Sequence, residues 1–396
     1  MEIPDWREVD GLSSDLAILD FKIFEMGSQI PSQGGKVLLT GGSGFIASHV
    51  LDTLLDHGFK VVVTVRSEEK GRKLLESLEG PLKQAVSFAV VPDIAVEHAF
   101  DQAIQSDPPF DFVVHTASPC HNNVQDPYRD MLDPAIRGTS GMLMSIKEYS
   151  PTVKRVVITS SAAAILNPPN HAKLYDETMW PDIDLNRPNP APDMFYKASK
   201  VGQCQNFPNI AGRSLLARPQ VLAERAAWDF VQNEKPNFDL VTINGTFTFG
   251  PVQRQLRSSA GINLSNRPIV DMVLGRMKDK IAPTAPVYTY VDVEDVALAH
   301  VRSLIVPEAG NNRFYIVGGH WSTKRVADII RESHPELKEM LPPDDSADDL
   351  PDDVYQFDNT KSRKILGLEY KGLKESVVPT VESILRLQKL EASEAA

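Results

Sequence analysis

Two cysteines, Cys120 and Cys204, are all that the 396 residues contain. They cannot build a disulfide framework, and neither has a partner at metal-ligand spacing. The nine histidines are scattered and form no His-x-x-x-His or similar cluster, so surface or hydrogen-bonded roles are expected and no metal site is. Long apolar runs are also missing. None is long enough to span a bilayer, and no secretory pattern of basic, apolar and cleavage segments is visible. Positive charge is in deficit: 41 Lys and Arg against 53 Asp and Glu leave a net charge of −12, without a basic block. Binding along a phosphate backbone is therefore not expected. What remains is an ordinary mixture, 42% apolar and 24% charged, long enough for one large or two medium domains. These absences imply a cytoplasmic chain with no membrane or nucleic-acid partner, working as a monomer or homodimer.

Residues 1–35 stand apart as an acidic, irregular N-terminal extension ending in Gln33-Gly-Gly35. Met26 lies inside it, which suggests a true start at Met26 with residues 1–25 an artefact of the gene model; the alternative is a genuine, poorly ordered tail. From Lys36 onward, strands at 36–40, 60–65, 86–91, 110–116, 155–159 and 240–244 alternate with helical stretches. That alternation predicts an α/β fold, a Rossmann-type doubly wound parallel sheet, over residues 36–245. Beyond it Pro251, Pro268, Pro283 and Pro286 break the pattern. Residues 246–396 are expected to form mainly a smaller C-terminal substrate lobe, with segments returning to the core. One such segment is Tyr290-Val-Asp-Val-Glu-Asp-Val-Ala-Leu-Ala-His300, read as a strand end leading into a helix.

The first strand runs into Thr40-Gly-Gly-Ser-Gly-Phe-Ile-Ala-Ser48. A glycine turn between a strand and a helix is a seat for a dinucleotide. Gly41 allows the tight turn, Gly44 lets a pyrophosphate approach the backbone, and Ala47 stands where helix meets strand. The helix opening at Phe45 and Ile46 offers free N–H groups and the positive end of its dipole to the phosphates. At the end of the second strand, an NAD site would place an acidic residue to accept from the ribose 2′-hydroxyl. Here the run is Arg66-Ser-Glu-Glu-Lys70, whose Arg66 and Lys70 can pair with a 2′-phosphate while Ser67 bonds it. NADPH is the cofactor expected. Asp93 and Ile94, after the third strand, are placed to border the adenine. Thr116, Ala117 and Ser118, ending the fourth, would lie along ribose and pyrophosphate, although strand-end polar residues often only cap the next helix.

Chemistry is suggested by Tyr196 and Lys200, four apart and so on one helix face. A free tyrosine titrates near about 10. A fixed ammonium beside it favours the phenolate, lowers that value, and can hold the nicotinamide ribose. The run Thr159-Ser160-Ser161 ends the fifth strand, at the edge where open α/β sheets hold their ligands. One serine could bond a substrate carbonyl while Tyr196 protonates it, the other serving as a helix cap. Pocket walls are expected from residues 165–195 and 246–290, with Trp180, Phe195 and Phe247 facing either the pocket or the core.

The glycine motif, Val65-Arg-Ser67, His115-Thr-Ala-Ser-Pro119, Thr159-Ser-Ser161, Tyr196-x-x-x-Lys200 and Asp358-Asn-Thr-Lys-Ser-Arg363 together resemble the extended short-chain dehydrogenase/reductases of the NAD-dependent epimerase/dehydratase family. Within them the chain is similar to the branch of dihydroflavonol reductases, cinnamoyl-CoA reductases and fungal aldehyde, ketone and methylglyoxal reductases. The resemblance implies that Ser161, rather than Ser160, forms a catalytic triad with Tyr196 and Lys200. It also implies NADPH-dependent reduction of a small aldehyde or ketone to an alcohol. Two other readings stand beside it: an NAD-retaining nucleotide-sugar epimerase or dehydratase, and a non-catalytic NADP-binding protein.

The chain departs from these relatives in three places. Gly141 stands where many carry Asn, and Asn244-Gly-Thr follows a strand after which many carry Pro. Between Lys200 and Val221, 20 residues from Val201 to Gln220 interrupt what would otherwise be one amphipathic helix. Pro208, Gly212 and Pro219 make that stretch a poor helix. Its in-frame length, opening on Val and closing on Gln, suggests a retained short intron; the alternative is a surface loop that splits the helix.

Overall fold

The computed structural model describes residues 34–118, 133–168, 170–181, 223–284 and 287–395. Tyr196, Lys200 and the 201–220 insertion lie outside them, as do Phe195, both cysteines and the 1–33 part of the N-terminal extension. The chain opens as β1 (Lys36–Thr40), α1 (Phe45–Asp56), β2 (Lys60–Val65), α2 (Glu68–Glu76), β3 (Val86–Val90) and β4 (Phe112–His115). It continues through α3 (Asp133–Tyr149), β5 (Arg155–Thr159), β6 (Leu174–Tyr175), α4 (Ala223–Glu234), β7 (Asp239–Gly245) and β8 (Phe247–Phe249). The last third holds α5 (Arg267–Val273), β9 (Thr289–Asp292), α6 (Val293–Ile305), β10 (Asn312–Ile316), β11 (Gly319–His320), α7 (Thr323–Ser333), β12 (Gln356–Phe357), α8 (Thr360–Leu366) and α9 (Leu373–Ala395).

Seven strands form one sheet in the order β10-β7-β5-β4-β1-β2-β3, and every pairing in it is parallel. Order reverses between β1 and β4, the point at which such sheets bind ligands beyond their carboxyl ends. Burial on both faces explains why β1 reads as the unbroken apolar run Val37-Leu-Leu39 rather than as an alternation. Val37 and Leu39 pack with Val50 and Leu54 of α1 and with Val296 and Val301 of α6. Leu38, on the opposite face, packs with Met142 and Ile146 of α3 and Ala227 of α4.

Six of the seven strands match the sequence expectation to within two residues at either end. The seventh, β10, was not anticipated; it pairs with β7 from Asn312↔Val241 to Ile316↔Gly245. After β7 the chain leaves the sheet. Phe249, Ile269, Met272, Trp321, Ile330 and Ile384 form a second core beneath a three-stranded sheet, β11-β9-β8. The Tyr290–His300 segment is a short strand of that smaller sheet followed by α6, which returns to the large one. No helix among the described residues is long and apolar enough to cross a membrane.

Candidate active site

The turn after β1 is shaped by its glycines. Gly41 has φ +72°, a conformation that disfavours any side chain. A methyl there would also come within 3.0 Å of Ala117 Cα. Gly42, given no role from sequence, is required by packing: a Cβ would sit 2.7 Å from Val63 Cβ on β2. Gly44 caps α1 without a side-chain cap bond, and no acidic residue lies in the first turn. The N–H groups at Phe45 and Ile46 therefore have no intrahelical partner and, among the described residues, no side-chain substitute.

Thr40 and His115, register partners on β1 and β4, join the two strand ends at the switch point. Thr40 Oγ1 lies 2.8 Å from His115 Nδ1 and accepts from Ala117 N at 3.1 Å, while Thr116 Oγ1 donates to Thr40 O at 2.5 Å. Thr116 and Ala117 thus lie directly against the glycine turn, while Ser118 lines a cavity at the strand ends with His115 and Ser160. At the end of β2 Arg66 is exposed, and Ser67 caps α2 by accepting from Lys70 N. Among the described residues neither Arg66 nor Lys70 has an ion-pair partner, whereas neighbouring Glu69 pairs with Lys73 at 2.6 Å. Two cations four positions apart, without an ion-pair partner among the described residues, suit a doubly charged phosphate. Asp93 accepts from Ala95 N at 2.9 Å after β3, and Ile94 packs on Gly138 of α3, where a Cβ would lie 2.9 Å from its Cδ1. Strand-end cradle, uncapped helix and paired cations fit a phosphorylated dinucleotide.

The end of β5 is held residue by residue. Thr159 Oγ1 donates to His300 Nε2 at 2.7 Å, because His300 Nδ1 is committed as a donor to Val296 O at 2.7 Å. Burial lowers the His300 pKa to about 4, so the ring is neutral. Ser160 Oγ donates to Glu224 Oε2. Ser161, not Ser160, is the serine that caps the short turn Ala162–Ala164, against the expectation that the capping serine and the carbonyl-bonding one differ: its Oγ accepts from Ala163 N at 3.1 Å, and its hydroxyl proton has no acceptor among the described residues. Of the two serines, Ser161 is the one with a proton to offer a carbonyl oxygen.

A buried network lies beneath them. Glu224, at the start of α4 and 2% exposed, accepts from Asn244 Nδ2 at 2.8 Å, Thr242 Oγ1 at 3.1 Å and Arg313 Nε at 2.6 Å as well as from Ser160. Arg313 also donates to the carbonyls of Ala164, Glu177 and Met179 and stacks on Trp180 with its guanidinium 3.7 Å from the ring centroid. Arg225 flanks the same ring at 4.7 Å. Trp180 thus serves the network, and Phe247 stacks on Trp321 at 4.6 Å within the second core. A small cavity at this level is lined by His115, Ser118, Ile158, Ser160, Ala223 and Glu224 among others. Sequence reading gave no role to Glu224, Asn244, His300 or Arg313. It also overlooked a second Tyr-x-x-x-Lys at Tyr370 and Lys374. There the phenol bonds Ser362 Oγ at 2.7 Å and burial pushes its pKa up, which marks a structural tyrosine.

The sheet order and the cradle at its switch point define a Rossmann-type dinucleotide-binding protein. The NAD dependent epimerase/dehydratase family model matches residues 37–201. The Aspergillus niger protein "Ketoreductase azaE" is 51% identical over 350 residues, covering 88% of this chain and 97% of that protein. Saccharomyces cerevisiae "NADPH-dependent methylglyoxal reductase GRE2" is 32% identical over 362 residues, covering 89% and 99%. The crystal structure of Gre2 from Candida albicans in complex with NADPH superposes with a TM-score of 0.78 at 33% identity, covering 89% and 99%. The chain belongs to the NAD-dependent epimerase/dehydratase family, within its extended short-chain dehydrogenase/reductases.

Proposed function

We propose that the chain is an NADPH-dependent carbonyl reductase that converts a small aldehyde or ketone to the alcohol. The observation that carries this reading is likeness over nearly the whole length to proteins named ketoreductase and NADPH-dependent methylglyoxal reductase. The cradle at Gly41 and Gly44 and the exposed Arg66 and Lys70 support the choice of cofactor.

NADPH, when bound, supplies the hydride. The chain's own part is to hold the carbonyl and deliver a proton. Ser161 donates its hydroxyl proton to the carbonyl oxygen, polarising the bond as charge develops there. Tyr196 gives that oxygen its proton, and Lys200 keeps the phenol acidic enough to exchange at neutral pH. Arg66 and Lys70 would hold the cofactor's 2′-phosphate, Asp93 and Ile94 would border its adenine, and Thr116 to Ser118 would lie along its ribose and pyrophosphate.

NADPH oxidation followed with methylglyoxal and isovaleraldehyde tests the reading. The full chain is expected to consume NADPH, and Tyr196→Phe to lose at least about a hundredfold in kcat, the scale of a general acid. Folded chain that binds NADPH without oxidising it on a wider carbonyl panel would favour a binding protein. Tightly retained NAD after purification would favour an epimerase.

A further inference from the structure

We propose that Glu224 is a positioning residue for the reacting end of β5, holding Ser160 directly and Ser161 through Asn244. This rests on the reading of Ser161 as the carbonyl's hydrogen-bond donor.

The bonds form a closed path. Glu224 Oε2 accepts hydrogen bonds from the Ser160 hydroxyl and from Asn244 Nδ2; Asn244 Nδ2 also donates to the backbone oxygen of Ser161 at 3.3 Å. The two consecutive serines are therefore tied to one carboxylate, one by side chain and one by backbone. Engaging the Ser160 hydroxyl has a second effect, since that hydroxyl can no longer compete with Ser161 for the carbonyl oxygen. Arg313, half-buried against Trp180, supplies the counter-charge on Oε1, and the Thr242 hydroxyl lies 3.1 Å from both Glu224 Oε1 and Asn244 Oδ1. A carboxylate with this many donors does not turn. Glu224 lines the cavity at the strand ends, but its oxygens face inward to these partners, so it acts through Ser161 rather than on the substrate. The network draws on β5, α4, β7 and β10, so the serine pair is referenced to the sheet and not to a loop.

Misplacement by about 1 Å can cost roughly a hundredfold in rate. Glu224→Gln keeps the shape but turns an acceptor into a donor facing Ser160 or Asn244. It is expected to lower kcat with isovaleraldehyde by about tenfold or more. The dissociation constant for NADPH, read by its fluorescence, should stay within about threefold, because none of the Glu224 partners described belongs to the glycine turn or to Arg66 and Lys70. Asn244→Ala leaves the Glu224–Arg313 pair intact and should give the same phenotype, which covers a Gln variant that fails to fold. The decisive reading is additivity. Residues acting as one unit show non-additive losses, so Ser161→Ala/Asn244→Ala should be no slower than Ser161→Ala alone. Losses that multiply, or Asn244→Ala at full rate, would overturn the inference while leaving Ser161 catalytic. A Ser161→Ala chain as fast as the unaltered one would remove the reading beneath it, and the inference too.

Discussion

At the scale of single residues, hydrogen-bond direction separates what spacing could not. Spacing leaves Ser160 and Ser161 equivalent; the donation of one to Glu224 and the acceptance by the other from Ala163 N distinguish them physically, on the side the family resemblance favours. The glycine turn was legible because φ +72° at Gly41 leaves a mark on residue type. Glu224 was not, since its partners Ser160 and Arg313 are 64 and 89 positions away and no local pattern announces them. Arg66 carries a prediction at this scale. A charge-assisted contact is worth about 1.5–3 kcal/mol. Arg66→Ala should therefore raise KM for NADPH by roughly tenfold or more while leaving KM for NADH unchanged, as steady-state assays with both nucleotides would register. Equal effects on the two would remove Arg66 from the 2′-phosphate.

Among elements, strands buried on both faces are readable as apolar runs, which is why β1, β2 and β5 were found at their ends. Strand β10, Asn312-Arg-Phe-Tyr-Ile316, begins with two polar residues and follows the looser proline-containing part, so nothing local marked it as the sheet's last strand. Helix α6 carries two opposed titrations. His300 has its pKa lowered to about 4 by burial, so as pH falls below about 6.5 the unfolded chain takes up the proton first and stability drops toward pH 4. Asp295 is raised to about 6, chiefly by burial and against the bond from Lys371 N, so the folded chain keeps a proton that the unfolded one has released. Its penalty therefore appears as pH rises from about 3.8 through 6. Each shift corresponds to on the order of 3 kcal/mol, with opposite sign, so together they flatten the stability curve between pH 4 and 6. Asp295→Asn should be more stable than the unaltered chain at pH 7, and that advantage should shrink by pH 4.5, as urea unfolding at both values would report. A constant difference would remove Asp295 from the linkage.

For the whole molecule, the 20 residues from Val201 to Gln220 bear directly on the spacing of the reacting groups. Without them Lys200 and Tyr196 would precede Glu224 by four and eight positions, one and two helical turns before the residue that anchors the serines. We expect a chain lacking Val201–Gln220 to reduce isovaleraldehyde up to about a hundredfold faster than the full chain, the scale of a small positioning error. Equal rates would make the segment a tolerated loop, and mature transcripts that all keep its 60 nucleotides would exclude an intron. The late strand β10 has a consequence for synthesis. A ribosome that has just released β7 has produced six of the seven strands, yet Glu224 still lacks Arg313 and the edge of β7 is unpaired. A buried carboxylate without its cation is strongly destabilising, and an open strand edge invites pairing with other chains. Products truncated before residue 313 should thus be held by chaperones or degraded rather than accumulate, and the reacting end of β5 is completed only when the last quarter of the chain emerges.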